Sequence, residues 1–253
     1  AQPSGSSSSS STEVASRFIR EARAAIKIRS EHVVRIYDVA SLESGAPYIV
    51  MEYLQGQDLD QLVASRGALP TDEAVDHVLQ ACEALGEAHA LGIVHRDLKP
   101  ANLFLTTTGT GVPIVKVLDF GISKLANTAG DMSMTSTQAV MGSPLYMSPE
   151  QMRSTRDADA RSDIWAIGVI LYELISAKTP FVGDTMTQVC AAILQDVPVR
   201  LASLRKDMPA GLDRVVFKCL EKRPSDRYSS VADLCNALAP FTPAGGQEAA
   251  RRT

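Results

Sequence analysis

The sequence predicts an α+β fold in which a short mixed segment precedes a longer, mainly helical one. Two β-rich runs lie close together near the start of the chain, and helical periodicity dominates after residue 70. The run Ile164–Ile175 is apolar on almost every side, which is typical of a helix buried at the centre of a helical domain. With 253 residues and 45% hydrophobic content, the chain is long enough for one large globular domain.

The composition argues against several classes of protein. The 25 basic and 29 acidic residues nearly balance, so there is no broad positive field and we expect no nucleic-acid partner. The longest apolar stretch is far shorter than the roughly 20 residues that cross a bilayer, which predicts no membrane span in this segment. The four cysteines are widely spaced and form no C-x-x-C pair. This spacing argues against a zinc site or a disulfide framework and favours a reducing, cytoplasmic setting.

The first predicted helix follows a serine-rich segment. Residues 1–13 have too little apolar surface to offset the entropy of ordering and are predicted to be flexible. From Val14 to Arg29, apolar residues recur at three- and four-residue steps, as in a helix. Glu21 falls within this apolar stripe, where a carboxylate needs a cation or a hydrogen-bond donor. Pairing of Glu21 with Arg17 or Lys27 on the same helix is an equally good interpretation.

Two strands and a long helix come next. Val33–Val39 and Tyr48–Tyr53 are separated by the turn-forming residues 44–47, which predicts an antiparallel pair. Thr71 is predicted to cap a helix with an acidic first turn. The buried stripe of this helix is predicted to consist of Val75, Val78, Leu79, Cys82 and Leu85.

Two polar clusters interrupt the apolar pattern. Residues 95–102 read His-Arg-Asp-Leu-Lys-Pro-Ala-Asn between apolar runs, and three charged groups with a proline at these offsets have no ordinary packing reason. The second cluster, Asp119-Phe120-Gly121, follows the predicted strand Val115–Leu118. By itself the second cluster is equally consistent with a simple turn at a strand end. His95 is interpreted as a packed structural residue rather than an acid or base.

These clusters together predict a site for phosphoryl transfer. Magnesium prefers oxygen ligands and keeps phosphate oxygens in its shell, so Asp119 and Asn102 would bind the metal with nucleotide phosphates. Asp97 would then orient an attacking hydroxyl and receive its proton. Lys99 would neutralise charge on the transferred phosphate.

The motifs resemble the signature set of the protein kinase superfamily. H-R-D-L-K-P-A-N is followed by D-F-G and then by Ser148-Pro149-Glu150 in place of A-P-E. The resemblance implies a two-lobed protein-kinase-like fold with an incomplete β-rich small lobe and a mainly helical large lobe. It also implies Asp97 as catalytic base, Lys99 on the γ-phosphate, and Asn102 and Asp119 on magnesium.

Further residues indicate which type of protein kinase the sequence resembles. Lys99 within the loop and Ser143 after it resemble Ser/Thr kinases rather than tyrosine kinases. The R-F-x-R-E-A and V-M-E-Y runs are similar to bacterial kinases of the eukaryotic-like family. This resemblance covers roughly residues 14–240.

The resemblance also assigns residues around the nucleotide. Glu21 matches the helix-C glutamate, Met51 the gatekeeper, and Glu52 to Leu54 the hinge whose backbone binds adenine. The implied nucleotide-binding set is Glu21, Met51, Glu52, Leu54, Phe104 and Asp119. Asp163 would brace the catalytic loop, and Glu150 and Arg227 would form a buried structural ion pair.

The resemblance to protein kinases also implies cofactors, partners and domain boundaries. The resemblance implies ATP with Mg2+, Mn2+ being an alternative, and a protein substrate with a Ser or Thr hydroxyl. Thr135 and Thr137 are predicted regulatory phosphosites, and self-association would allow autophosphorylation. We predict a kinase domain over residues 14–241, with a small-lobe remnant at 14–51, a hinge at 52–55, a large lobe at 56–241 and a tail at 242–253.

The start of the chain departs from the kinase pattern. The family carries a strand lysine upstream of the helix-C glutamate and a glycine-rich loop before it, but no lysine precedes Lys27 and no G-x-G-x-x-G lies upstream. We therefore expect the first three strands of the small lobe to be absent from this segment. Two hypotheses follow: an active Ser/Thr kinase seen as a truncated domain, or a degenerate kinase-like module that binds partners. Retention of Asp97, Asn102 and Asp119 favours the first.

Overall fold

The computed structural model describes residues 16, 18–120, 144–154 and 158–242. This part of the chain contains two small antiparallel sheets followed by a predominantly helical region. The predicted α+β organisation is confirmed. The segments predicted to be a flexible start and a tail fall almost entirely outside the described residues.

The small lobe combines one helix with a two-stranded sheet. Helix α1 spans residues 18–25, and strands β1 (Ile36–Ser41) and β2 (Pro47–Met51) pair antiparallel, with Val39 opposite Ile49. Ala22 of α1 and Val39 of β1 are buried in a small cluster of their own. The predicted antiparallel pair is therefore confirmed.

The predicted first strand begins too early. Val33 and Val34 are buried, but they contact the large lobe instead of β2: Val33 forms a parallel bridge with Val117, and the Val34 amide donates to the Val117 carbonyl at 3.1 Å. The apolar pattern was correct about burial. It could not show which strand these residues would join.

A second sheet lies at the start of the large lobe. Its strands are β3 (Gln57–Asp58), β4 (Leu103–Thr107) and β5 (Pro113–Val117), in the order β3-β4-β5 with antiparallel neighbours. The polar loop at residues 95–102 enters this sheet through β4, and Asp119 leaves it two residues after β5. The sheet therefore brings both polar clusters to one end.

Helices form the remainder of the described large lobe. They are α2 (Leu59–Arg66), α3 (Thr71–Ala90), α4 (Pro149–Arg153), α5 (Ala160–Ser176), α6 (Met186–Gln195), α7 (Leu201–Leu204), α8 (Leu212–Cys219) and α9 (Val231–Leu238). Short 3-10 turns occupy Pro100–Asn102, Pro144–Tyr146, Pro224–Asp226 and Ala239–Phe241. Among the described helices, none combines the length and apolar character needed to cross a membrane.

Helix α5 is the centre of the large-lobe core, as its apolar sequence predicts. Trp165 is fully buried and stacks on Phe181 with ring centroids 5.6 Å apart. Gly168 lets α8 approach closely, because a Cβ at this position would lie 2.5 Å from the Cβ of Cys219. The packing of α3, α8 and α9 around α5 supports the loop that carries the polar residues.

The buried stripe predicted for α3 is confirmed, but its predicted cap is wrong. Pro70, not Thr71, precedes the first helical residue, and no side-chain hydrogen bond caps this end. Proline cannot donate a backbone hydrogen bond and is tolerated at a helix start. A Thr after a Pro therefore becomes the first residue of the helix rather than its cap.

Candidate active site

The polar loop at residues 95–102 is closed by its own hydrogen bonds. The backbone amide of Asn102 donates to the Lys99 carbonyl at 2.9 Å. The side chain of Asn102 is buried and donates from Nδ2 to the backbone carbonyl of Asp97 at 2.9 Å. Because this bond uses Nδ2, Oδ1 is the side-chain atom of Asn102 that can bind a cation. The loop thus presents an amide oxygen beside Asp97.

Asp163 in α5 holds the start of the loop. Its carboxylate is 1% exposed and accepts hydrogen bonds from the backbone amides of His95 and Arg96, each at 2.9 Å. His89, near the end of α3, lies 2.8 Å from the same carboxylate. Arg96 adopts a left-handed backbone with φ of 66°, which is costly for a non-glycine residue unless its surroundings fix it. The predicted bracing role of Asp163 is confirmed.

The second polar cluster is attached directly to the loop. Beyond β5, the Leu118 amide donates to the Asn102 carbonyl at 2.9 Å, and His95 Nε2 lies 2.8 Å from the Leu118 carbonyl. The ring of His95 also packs on Phe120, with centroids 5.0 Å apart. His95 is completely buried, so its predicted packing role is confirmed. Asp119 follows Leu118 with φ of 53°, a strained geometry of the kind that concentrates at functional sites.

Asp97 and Lys99 form an ion pair next to this junction. The Lys99 ammonium lies 3.3 Å from Asp97 Oδ2, and the Lys99 side chain is 29% exposed against 9% for Asp97. The cation is therefore reachable by an anionic ligand while the carboxylate is held in place. No cluster of three or more His, Cys, Asp or Glu side chains suited to a metal occurs within the described residues. Asp119 and Asn102 are predicted to bind a hard cation that takes few protein ligands, as Mg2+ does with nucleotides.

Comparison with known proteins shows which family this chain belongs to. A family model described as the protein kinase domain matches residues 5–238. The chain belongs to the protein kinase family. It is 38% identical over 223 residues to a probable serine/threonine-protein kinase of Clostridium acetobutylicum, covering 88% of this chain and 33% of that protein. It is 39% identical over 221 residues to the serine/threonine-protein kinase PknB of Mycobacterium leprae, covering 86% of this chain and 34% of that protein.

A solved structure shows the same fold. The PknI kinase domain of Mycobacterium tuberculosis matches with a TM-score of 0.69 and 28% identity, over 91% of this chain and 80% of that chain. The two-lobed kinase fold and the resemblance to bacterial Ser/Thr kinases are confirmed. The chain spans about a third of the length of the curated relatives it matches.

The loop at residues 95–102 is anchored to helix α4. In α4, Gln151 Nε2 donates to the Arg96 carbonyl at 2.8 Å. Glu150 accepts two hydrogen bonds from the Arg227 guanidinium, each at 2.8 Å, and a third from Ser162 at 2.8 Å. Burial opposes ionisation of Glu150, but the hydrogen bonds and charge of Arg227 outweigh it and lower the pKa of Glu150 to about 2. The predicted buried ion pair is confirmed.

Three of the predicted nucleotide-binding residues, Met51, Glu52 and Leu54, lie in or next to the predicted hinge. Met51 ends β2 and is 40% exposed, Glu52 and Leu54 are half-buried in the connection to β3, and Phe104 is half-buried in β4. Glu21 is half-buried on α1 and is not without an interaction partner. Thr135 and Thr137 lie outside the described residues. Their assignments, and that of each catalytic and metal-binding residue, stay predictions.

Three residues that sequence analysis did not identify contact residues of the candidate site or the predicted hinge. His89 meets Asp163, Lys116 meets Glu52 at 2.7 Å, and Thr106 donates to the Gln55 carbonyl at 2.7 Å. No local pattern identifies them, because their partners lie 51 to 74 residues away along the chain.

Proposed function

We propose that this domain is a Ser/Thr protein kinase that transfers the γ-phosphoryl group of ATP to protein hydroxyls. The supporting observation is that hydrogen bonds join the loop of Asp97 and Asn102 to Leu118, the residue that precedes Asp119. This junction supports a common site in which Asp97 serves as base and Asn102 and Asp119 serve as cation ligands next to one phosphate chain. A fixed arrangement of these groups is what phosphoryl transfer requires, since the protein contributes mainly positioning and charge stabilisation.

Each residue has a distinct proposed role. Asp97 accepts a hydrogen bond from the substrate hydroxyl and receives its proton, so that the oxygen can attack in line. Lys99 stabilises the negative charge on the transferred phosphate. Asn102 Oδ1 and the Asp119 carboxylate hold Mg2+ or Mn2+, which when bound neutralises the phosphate oxygens. The hinge backbone at Glu52 to Leu54 binds adenine.

The proposed partners are proteins, and the proposed location is the cytoplasm. The substrates are proteins with accessible Ser or Thr hydroxyls, and a second copy of the domain is one such substrate, with Thr135 and Thr137 as acceptors. Use of ATP is consistent with a cytoplasmic location for this domain.

The direct test is phosphoryl transfer by the purified protein. We expect label from γ-labelled ATP to appear on Ser or Thr of an acceptor protein when Mg2+ or Mn2+ is present, and the reaction to stop when EDTA removes the metal. Mass spectrometry would locate the modified residues. Failure of both ATP binding and transfer would instead support the degenerate module that only binds partners.

A further inference from the structure

An ion pair joins the hinge to the large-lobe hairpin. Glu52 Oε1 accepts from Lys116 Nζ of β5 at 2.7 Å and from the backbone amide of Arg35 at 2.7 Å. The Glu52 amide in turn donates to the Arg35 carbonyl at 2.9 Å. One carboxylate oxygen therefore connects β5, the hinge and the residue that precedes β1.

This pair is shielded from solvent more than an ordinary surface pair. The side chains of Lys116 and Glu52 are 15% and 21% exposed. Lys116 Nζ also lies 3.5 Å from the Val33 carbonyl. Charge-assisted hydrogen bonds with little solvent screening are stronger than those between exposed charges. The contact can therefore restrict the motion of the hinge backbone.

A second attachment holds the other end of the hinge. Buried Thr106 of β4 donates from Oγ1 to the Gln55 carbonyl at 2.7 Å. Gly56 has φ of 149°, and a Cβ there would lie 2.0 Å from the Leu105 carbonyl oxygen, so the backbone lies directly against β4. Residues 52–55 are thus fixed at both ends to the β4–β5 hairpin.

We propose that Lys116, assisted by Thr106, is a positioning residue that presets the hinge backbone for adenine. Backbone groups bind a planar base well only when their orientation is fixed before binding, because ordering them during binding costs affinity. Lys116 acts through Glu52, whose carboxylate it contacts. This inference rests on the proposed kinase function, which supplies the adenine ligand.

Replacement of Lys116 separates this role from general stability. In Lys116→Met, we expect amide exchange in a peptide covering residues 50–57 to become about tenfold faster without nucleotide, because a charge-assisted hydrogen bond is lost. We also expect the Kd of Mg-ATP to rise about tenfold, with little change in kcat at saturating ATP. Lys116→Arg retains the charge and should restore both quantities toward wild type.

The matched control breaks an ion pair away from the hinge. Arg66 and Glu73 form a two-bond pair at 2.6 and 2.9 Å between α2 and α3. Arg66→Met should leave the exchange of residues 50–57 and the Kd of Mg-ATP unchanged. Exchange in α3 reports whether any variant has loosened the whole domain.

The two proposals fail in distinguishable ways. Unchanged hinge exchange or an unchanged or lower Kd in Lys116→Met overturns the positioning role. If the wild-type protein binds no ATP, the proposed function fails, and the hinge exchange of Lys116→Met compared with Arg66→Met still decides whether Lys116 restrains the hinge.

Discussion

Replacing Asp97 by asparagine should slow phosphoryl transfer by about 100-fold to 10,000-fold, which is the usual contribution of a positioned general base. Asparagine has nearly the same shape as aspartate but cannot receive the proton of the attacking hydroxyl. The loop itself should persist, because Asn102 Nδ2 bonds to the backbone carbonyl of residue 97 rather than to its side chain. Initial rates of labelled phosphate transfer at saturating ATP measure the loss.

The control for Asp97→Asn is the same substitution at an acidic residue outside the site. Asp184 is exposed on the surface, so Asp184→Asn should transfer phosphate at the wild-type rate. Both variants should unfold at the same denaturant concentration as the wild type. Wild-type activity in Asp97→Asn would remove Asp97 from the mechanism.

Replacing Arg227 by methionine should lower the free energy of unfolding by roughly 3–5 kcal/mol, because it leaves Glu150 as a buried charge without its cation. Arg227 has a fully buried side chain and makes two hydrogen bonds to Glu150. It also donates to the carbonyls of Glu221 and Arg161 at 2.8 and 2.9 Å. Denaturant unfolding followed by circular dichroism measures this change.

Two further variants separate the charge from the packing. Arg161→Met breaks an exposed pair with Asp159 and should cost less than about 1 kcal/mol. Adding Glu150→Gln to Arg227→Met removes the unpaired charge and should recover part of the loss. An equal effect of Arg227→Met and Arg161→Met would show that the buried pair contributes no more than a surface pair.

The same pair predicts how stability depends on pH. The pKa of Glu150 is lowered from 4.5 to about 2 in the folded protein, so its stabilising contribution is present above pH 4.5. This contribution decreases as the pH falls from 4.5 towards 2, because the unfolded chain binds the proton first. Glu150→Gln should lack this component of acid destabilisation.

The sequence predicts best those features whose determinants are contiguous. The H-R-D-L-K-P-A-N loop and the D-F-G motif are short runs in which several polar groups sit at fixed offsets, so the family and the fold class follow from them. Helix α5 was also predictable, because residues 164–175 are apolar around almost the whole helix.

The features that sequence analysis missed depend on distant partners. Lys116 lies between the buried residues Val115 and Val117 in β5 and is indistinguishable by pattern from a solvent-facing lysine, yet its partner Glu52 lies 64 residues away. His89 occupies the last turn of α3, where a histidine is common for electrostatic reasons alone. Val33 and Val34 have the composition of a strand, but tertiary contact with Val117 decides where they pair.

The central claim is that Asp97, Asn102 and Asp119 converge on one metal-phosphate pocket. A crystal structure with Mn2+ and a non-hydrolysable ATP analogue tests it most directly, because anomalous scattering locates the metal. We expect a manganese ion bound by Asn102 Oδ1 and the Asp119 carboxylate, with Asp97 facing the γ-phosphate. Metal and phosphates bound away from these three residues would contradict it.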